Sequence, residues 1–363
     1  MKGKGILYLQ RKPGKGGAQH SLSRVLAHER IRALDPLLVT EEEGWLTRRC
    51  DQLGVNHMEI AFPSTRSITG RLFQNRGFAR LLEKRLRGIG VKPVIVHGND
   101  HHEGLLVIAL SRMLGTKSVL FLRSPGMNRH DYLKHRCREV DLLIAVGDEL
   151  KERVEGWDPR REVTLVHNGV YRDEIRPPKD RAPAFPEVVL VVGSHRDWKG
   201  WGDVIEALLI LKNERDLPPL KVHFTGREPT PEENDLGLQR LPGIEFRFLG
   251  VQEDFLNLVR RYDLVVNASR MESFGMAAIE TLAAGVPLLS SRTGVIEKVQ
   301  KKEHMLFRPG NPADLARALG RLMVHWENFD FDLEGCQKII LEDFSSDRTV
   351  DNLVRAYEKI SCP

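Results

Sequence analysis

Residues 264–291 read LVVNASRMESFGMAAIETLAAGVPLLSS. The stretch has an apolar run, a short polar turn, a run of strong helix formers and a second apolar run. This order predicts a strand, a turn, a helix and a second strand, and the helix is expected to end at Gly285, two residues before Pro287. Strand–helix–strand units of this kind build parallel sheets, whose ligands lie at the carboxyl ends of the strands. The stretch therefore predicts an α/β protein with a binding site in the turn before the helix.

A similar alternation of apolar runs and helical patterns fills both halves of the 363-residue chain. The predicted strands are, by residue number, 5–10, 36–40, 57–62, 93–98, 118–123, 142–147 and 163–169, then 187–194, 220–226, 244–250, 264–269 and 286–291. Residues 171–186 are rich in proline and charge and predict an interdomain linker. We therefore expect one domain in residues 1–170, a second in 187–345, and a last helix within 346–363, whose packing back onto the first domain is a hypothesis.

Charge is unevenly distributed along the chain. Residues 1–170 contain 29 lysines and arginines against 19 aspartates and glutamates, a net charge of +10, whereas the remainder has a net charge of −5. The basic half predicts an anionic partner such as nucleic acid, a phosphorylated glycan or an anionic lipid surface, although a solvated basic face would look the same. The excess lacks interleaved aromatic residues and any known nucleic-acid motif, so we expect no nucleic acid partner.

Nothing in the sequence predicts export or membrane insertion. There is no run of 18 or more apolar residues, and the apolar residues near the N-terminus are interpreted as a first strand rather than a signal peptide. The four cysteines are scattered and form no paired motif, which predicts a reducing, cytoplasmic compartment without disulfides or a zinc site.

Two glutamates, Glu272 and Glu280, lie eight residues apart on either side of Gly275. Eight residues of helix span about 12 Å, which suits the two ends of a sugar nucleotide. One carboxylate would bind hydroxyls of the sugar, the other would bind the ribose diol, and the diphosphate would lie at the helix N-terminus. Gly275 would let the backbone approach the ligand closely. In the alternative interpretation, Glu272 caps the helix electrostatically and Glu280 is solvated.

The sequence ESFGMAAIE, followed by LAAGVPLL, resembles the Glu-seven-residues-Glu signature of the retaining glycosyltransferases of family 4. The resemblance implies the GT-B fold, in which two Rossmann-like domains have parallel sheets that face each other across a cleft. It also implies transfer with retention of anomeric configuration and a catalytic role for Glu272. The donor-binding residues that it implies here are Ser273, Phe274, Gly275, Met276 and Glu280.

The segment VVGSHRDWKGWGDVIEAL, residues 191–208, resembles the family's Gly-Arg-x-x-x-x-Lys-Gly segment at the start of the second domain. The match implies that Lys199 binds the diphosphate and that Gly193 is the first glycine. Ser194 departs from the pattern, because the family has arginine there. Either His195 or Arg196 is expected to supply the missing cation. A solvated loop lysine is the alternative interpretation of Lys199.

Two weaker matches concern loops that would touch the donor. RKPGKGGAQHSL, residues 11–22, resembles the family's glycine-rich first loop and implies that Gly16 and Gly17 approach the sugar phosphates. An ordinary strand-to-helix turn is the alternative. FLGVQEDF, residues 248–255, resembles the loop that holds the base, with Val251 offering backbone contacts.

The family often has a histidine after the fourth strand, and IVHGNDHHEGL, residues 95–105, resembles that segment. Any of His97, Asn99, Asp100 and His101 could face the donor sugar, and His97 is the candidate chosen for catalysis. His97 and His101, four residues apart, have the spacing of a metal pair, but no further ligands follow nearby, so we expect no metal.

Residues 66–90 predict a basic amphipathic helix, with seven lysines and arginines and one glutamate between residues 66 and 87. Such a helix could lie on an anionic membrane or bind a phosphorylated acceptor. An ordinary surface helix that is buried on one side is the alternative.

Together these patterns predict a cytoplasmic hexosyltransferase that works at the inner face of the cytoplasmic membrane. It would move a hexose from a nucleotide diphosphate sugar to a glycan acceptor that binds the first domain, such as lipopolysaccharide core or a lipid-linked saccharide. A UDP-sugar is favoured over GDP- and ADP-sugars, and no metal or other cofactor is expected. The alternatives are a sugar-nucleotide epimerase or hydrolase on the same fold, and a sugar-nucleotide-binding protein without catalytic activity.

Overall fold

The computed structural model describes residues 5–63, 75–180, 182 and 184–361. The chain divides into two compact units, the first formed by Met1–Gly169 with Ser346–Pro363 and the second by Val170–Ser345. Each unit contains a parallel sheet with helices in the connections between its strands. The predicted class, two Rossmann-like α/β domains, is confirmed.

The sheet of the first unit has seven strands in the order β3-β2-β1-β4-β5-β6-β7 among the described residues. The strands are β1 Gly5–Leu9, β2 Pro36–Thr40, β3 Asn56–Glu59, β4 Pro93–Gly98, β5 Lys117–Leu122, β6 Leu142–Ala145 and β7 Thr164–Leu165. All neighbours pair in parallel. The central strands are apolar and buried on both faces, as expected for a sheet that is covered by helices on both sides.

The helices of the first unit are α1 Gly17–Ala27, α2 Glu29–Arg32, α3 Trp45–Leu53, α4 Asn75–Gly88, α5 Gly104–Leu114, α6 Arg129–Lys134, α7 Asp148–Trp157 and, from the end of the chain, α15 Ser346–Ser361. The chain end returns to this unit, where α15 packs against α1 and α2. Its Tyr357 hydroxyl lies 3.2 Å from the hydroxyl of Tyr8 on β1, so a polar contact joins α15 to the sheet.

Within its described residues, the second unit has a six-stranded parallel sheet in the order β10-β9-β8-β11-β12-β13. Its strands are β8 Val188–Val191, β9 Lys221–Phe224, β10 Glu245–Phe248, β11 Val265–Asn267, β12 Leu288–Ser291 and β13 Leu306–Phe307. Its helices are α8 Trp201–Glu214, α9 Pro231–Asn234, α10 Phe255–Val259, α11 Met276–Ala283, α12 Ile296–Val299, α13 Pro312–His325 and α14 Leu333–Asp343. The strand–turn–helix–strand expected for residues 264–291 is present as β11, α11 and β12.

Two details differ from the sequence-based expectation, and a third prediction can be compared only in part. The pattern of residues 18–34 predicts one helix, but the helix breaks at His28, whose backbone is extended (φ −72°, ψ 133°). The His28 side chain accepts a hydrogen bond from the Arg30 N–H and so caps α2. The two-residue strand β13 was not predicted, because two apolar residues make no recognisable pattern. The predicted helix of residues 66–90 falls partly on residues 64–74, which lie outside the described residues; its remainder forms α4.

The buried face of α4 contains Phe78, Ala79, Leu82 and Leu86, and the helix packs against α5. Its arginines are on the other face, as in an ordinary amphipathic surface helix. Across the part of the chain that the structure describes, every helix is too short or too polar to cross a bilayer.

The segment predicted as a linker is hydrogen-bonded to the second unit over part of its length. The Arg176 N–H donates to the carbonyl of Ala283 and the Lys179 N–H donates to that of Gly285, both at 2.9 Å. The Lys179 ammonium also lies 2.6 Å from the Asp263 carboxylate. Residues 176–179 are therefore held at the C-terminal end of α11.

Candidate active site

The strand order of the second unit changes direction between β8 and β11, which are neighbours in space but not in sequence. In open parallel sheets, ligands bind outside the carboxyl ends of the strands at such a switch point. The loop after β8 contains residues 192–200, and the loop after β11 contains residues 268–275. These are the two segments that the sequence motifs single out in this domain.

Lys199 and Glu272, 73 residues apart in the sequence, meet at this switch point. The Lys199 ammonium donates a hydrogen bond of 2.5 Å to a carboxylate oxygen of Glu272, and both side chains are about three-quarters or more buried. Lys199 ends a short 3-10 turn, Asp197–Lys199. The pair places a cation and a carboxylate side by side at the edge of the sheet where a ligand is expected.

A second ion pair fixes the two loops to each other. The Arg270 guanidinium donates two hydrogen bonds, of 2.8 and 2.6 Å, to the buried carboxylate of Asp203 in the first turn of α8. The Arg270 N–H also donates to the carbonyl of Trp198 at 2.7 Å. Sequence reasoning missed this pair, although an acidic residue in the first turn of α8 and an arginine just before MESFG were visible signals. The pair joins the loop that contains Glu272 to the first turn of the helix that follows Lys199.

Gly200 lets the β8 loop pass directly against the β11 loop, and we expect Gly200→Ala to lower the free energy of unfolding by at least about 2 kcal/mol. Its φ of +69° is in the left-handed region, and an added Cβ would lie 1.9 Å from the carbonyl oxygen of Ala268. Gly202→Ala is the matched control, because its Cβ would meet nothing within 4 Å and alanine favours the helix. Urea unfolding of both variants measures the difference. Equal stability of the two variants would contradict the packing described here.

The N-terminus of α11 forms the other side of the site. Gly275 precedes the helix with φ +91°, a conformation that glycine adopts without strain. The Ser273 hydroxyl is buried and has no hydrogen-bond partner among the described residues. The Phe274 carbonyl accepts from the Val295 N–H at 3.0 Å, and its ring packs against Phe344. A buried hydroxyl without a partner beside free helix N–H groups is suited to an anionic or hydroxyl-bearing ligand.

Glu280 lies within α11 and is only 6% exposed. The alternative that Glu280 is a solvated surface residue is therefore excluded. A buried carboxylate needs polar partners. Met276, also predicted to bind the donor, is the first residue of α11 and is half-buried. Of the two glutamates of the motif, Glu272 lies in the turn before α11 and Glu280 lies in the middle of the helix.

The other residues predicted for donor binding in this unit lie in loops after the strands. The Gly193 N–H donates to the Thr225 hydroxyl, which donates back to the Gly193 carbonyl, both at 2.9 Å. Arg196 is exposed, and its guanidinium lies 5.6 Å from the centre of the Trp198 ring. Ser194 and His195 are partly buried beside it, and His195 is 3.8 Å from the Glu233 carboxylate. Val251 follows β10 and is exposed.

In the first unit, Gly16 and Gly17 follow β1, beside the switch point between β1 and β4. Gly16 is the N-cap of α1 and Gly17 is its first residue, and both are exposed.

A buried polar network lies next to this loop. The Asn99 amide donates to the carbonyl of Ala18 at 3.2 Å and accepts from Arg123 at 2.8 Å. Arg123 also donates to Asn168 at 2.7 Å. Burial lowers the pKa of Arg123 to about 10.

His97 lies in the core of the first unit. It is 1% exposed, its Nδ1 is 2.6 Å from the Tyr357 hydroxyl, and its ring packs against Tyr8 and Phe121. Burial lowers the pKa of His97 to about 3, so the ring is neutral at physiological pH. The catalytic role predicted for His97 stays a prediction, and these contacts give it no support.

His97 and His101 do not form the pair that their spacing suggested. His101 lies beyond the end of β4, where its Nδ1 is 3.0 Å from the Asp100 carboxylate. Burial acts to raise the pKa of Asp100, but hydrogen bonds from His101 and Ser124 outweigh it and hold that pKa well below its usual range. The side chains near His101 are instead His102 and, unforeseen from the sequence, His135.

The loops that contain Lys199 and Glu272 lie in the part of the chain that resembles known glycosyltransferases. Residues 186–325, which include both loops of the site, match the family model described as Glycosyl transferases group 1. An uncharacterized glycosyltransferase of Methanocaldococcus jannaschii is 31% identical over 312 residues, which cover 77% of this chain and 79% of that protein. The chain belongs to the group 1 glycosyltransferases. The ESFGMAAIE motif predicted a glycosyltransferase, and this prediction is confirmed as far as membership of group 1.

Other relatives of this group 1 glycosyltransferase match over a shorter part. The D-inositol 3-phosphate glycosyltransferase of Corynebacterium jeikeium is 29% identical over 207 residues, which cover 51% of this chain and 49% of that protein. The chain thus spans about half the length of the first curated relatives that it matches. The crystal structure of Anabaena HepE with UDP-glucose has a TM-score of 0.79 at 16% identity, covering 98% of this chain and 99% of that chain. This likeness shows the shared GT-B fold.

Proposed function

We propose that the protein transfers a hexose from a UDP-sugar to a glycan acceptor, with retention of configuration and without a metal ion in the transfer step. The main observation behind this proposal is the Lys199–Glu272 pair at the switch point of the second sheet. HepE, a protein of the same fold, has been solved in complex with UDP-glucose, and this supports UDP as the nucleotide of the donor.

In this proposal, Lys199 neutralises the diphosphate as it leaves. The bond between the anomeric carbon and the diphosphate oxygen breaks, and negative charge grows on the diphosphate. Lys199, the exposed guanidinium of Arg196 and the N-terminus of α11 would stabilise that charge, and Ser273 would donate its unused hydroxyl hydrogen. His195 would take the role of Arg196 if the loop turns it toward the phosphates.

Glu272 would exchange its contact with Lys199 for hydroxyl groups of the sugar and so orient the anomeric carbon. The acceptor hydroxyl would attack from the face that the diphosphate leaves, and its proton would pass to the departing diphosphate oxygen. Retention then needs no carboxylate nucleophile. Glu280 would bind the ribose diol, and the backbone at Val251 would contact the base.

The acceptor is proposed to bind the first unit, whose net positive charge favours an anionic molecule. Lipopolysaccharide core or a lipid-linked saccharide has this character, and the name of the Corynebacterium relative includes a phosphorylated compound, D-inositol 3-phosphate. The arginines on the outer face of α4 would hold the protein at the inner face of the cytoplasmic membrane. Gly16 and Gly17 would allow the donor or the acceptor to approach the backbone.

The test is turnover of UDP-hexoses by the full-length protein, with and without acceptors, in buffer that contains a chelator. Glycosyl transfer predicts UDP release that depends on a phosphorylated glycan or lipid-linked acceptor, and proton NMR of the product should show the donor's anomeric configuration. Release of free sugar without an acceptor would indicate a hydrolase, and a changed sugar still attached to UDP would indicate an epimerase. An inverted product would contradict the proposed mechanism.

A further inference from the structure

Three histidine side chains of the first unit come together after β4 and β5. His101 and His102 lie in the 3-10 turn His101–Glu103 that follows β4, and His135 ends α6. One ring nitrogen of each histidine lies within 4.8 Å of one ring nitrogen of the other two. The centroids of the His101 and His102 rings are 3.8 Å apart, and that of His135 is 5.4 and 5.3 Å from them.

Two further observations indicate a ligand for this cluster. His135 is 2% exposed, and its Nδ1 is buried without a hydrogen-bond partner in the part of the chain that the structure describes. His101 has its Nδ1 held by the Asp100 carboxylate at 3.0 Å, which leaves Nε2 as its available nitrogen. Asp100 is itself fixed by the N–H groups of His101 and Arg123, at 2.8 and 3.1 Å. In protein metal sites, a ligating histidine usually donates its other ring N–H to a carboxylate or a carbonyl in this way.

We propose that His101, His102 and His135 bind a divalent transition metal ion, with Zn²⁺ as the best fit and Asp100 as the carboxylate that orients His101. Imidazole nitrogen is a preferred zinc ligand, and three of them leave a fourth tetrahedral position for water or another ligand. His102 is exposed, so the cluster is open to solvent on the side of His102.

The rings need only a small adjustment to bind an ion. Zn–N bonds of about 2.0–2.1 Å place tetrahedral nitrogens about 3.4 Å apart, so nitrogens that now lie within 4.8 Å of one another approach by at most about 1.4 Å. Rotation about side-chain bonds can supply this movement, and the exposed His102 has the most room to rotate.

The position of the site suggests what the ion would do. It would tie the turn after β4 to the end of α6, next to Glu103, whose carboxylate accepts hydrogen bonds from the N–H groups of Arg11 and Asp100 at 3.3 and 3.2 Å. Arg11 begins the glycine-rich loop after β1. The ion would therefore stabilise the carboxyl end of this sheet, and no step of the proposed sugar transfer involves it.

The test uses full-length, tag-free protein that a chelator has stripped of metal. Titration with Zn²⁺ by calorimetry, and with Co²⁺ by its visible absorption, should show one site per chain and a rise in melting temperature. His102→Ala is the main variant, because an exposed side chain can be removed without unfolding the protein, and we expect at least about a 100-fold loss of Zn²⁺ affinity. Asp100→Asn should cost about 10–100-fold.

His130→Ala is the matched control, since His130 is an exposed histidine on α6 outside the cluster. Its Zn²⁺ affinity should equal that of the wild type. The proposal is overturned if the wild-type protein binds neither ion more tightly than about 0.1 mM, if His102→Ala binds as well as the wild type, or if His130→Ala loses affinity to the same degree.

Discussion

Replacing Lys199 by alanine is expected to lower the kcat of sugar transfer by about 10²–10³-fold. The reason is that the ammonium of Lys199 lies beside Glu272 at the switch point of the second sheet, where it would neutralise the diphosphate as charge develops. The loss should fall mainly on kcat, because this interaction strengthens in the transition state. Steady-state kinetics of UDP release with a saturating acceptor measure the effect.

Two variants control for changes in charge and folding. Lys199→Arg keeps the cation and should recover part of the lost rate, whereas Lys212→Ala removes an exposed lysine of α8 and should leave kcat unchanged. If Lys199→Ala lost less than about threefold in kcat, the proposed role of Lys199 would be wrong.

The second large effect is expected for Glu280→Gln, which should weaken the binding of UDP by about 10–100-fold. Glutamine keeps the size of the buried side chain but removes the charge that would strengthen hydrogen bonds from the ribose hydroxyls. Glu280 is 6% exposed within α11, so its replacement by a much smaller residue would also disturb packing. Isothermal titration calorimetry with UDP measures the change directly.

Glu297→Gln on α12 is the control, because it removes one exposed carboxylate from the same unit. The affinity of Glu297→Gln for UDP should match that of the wild type. The melting temperature of ligand-free Glu280→Gln should stay within a few degrees of the wild-type value. An unchanged UDP affinity in Glu280→Gln would exclude the ribose role and favour a purely structural one.

Local patterns were enough to predict most of the second unit. Residues 264–291 contain their own turn signals, apolar runs and terminal glycine, so β11, α11 and β12 could be predicted from the sequence alone. The motifs of one family singled out Lys199 and Glu272 separately, but their contact was not predicted, because no local pattern connects residues 73 positions apart. The Asp203–Arg270 pair has no such motif and was missed.

The first unit was harder to interpret for a physical reason. Its central strands are buried on both faces, so their residues do not alternate between apolar and polar, and the sequence could not show which way His97 points. His97 proved to pack against Tyr357 from the last helix, a partner 260 residues away. His135 joins His101 and His102 from 33 positions away, beyond the reach of spacing rules for metal ligands.

The most direct test of the central claim, that the second unit binds a nucleotide sugar, is a thermal-shift comparison of UDP, GDP, ADP and their hexose conjugates on the wild-type protein. Binding at about 100 times the Kd adds about 2.7 kcal/mol of stability, which gives a measurable rise in melting temperature. We expect UDP and one UDP-hexose to give the largest rise. Failure of every nucleotide to shift the melting temperature at millimolar concentration would contradict a nucleotide-sugar site.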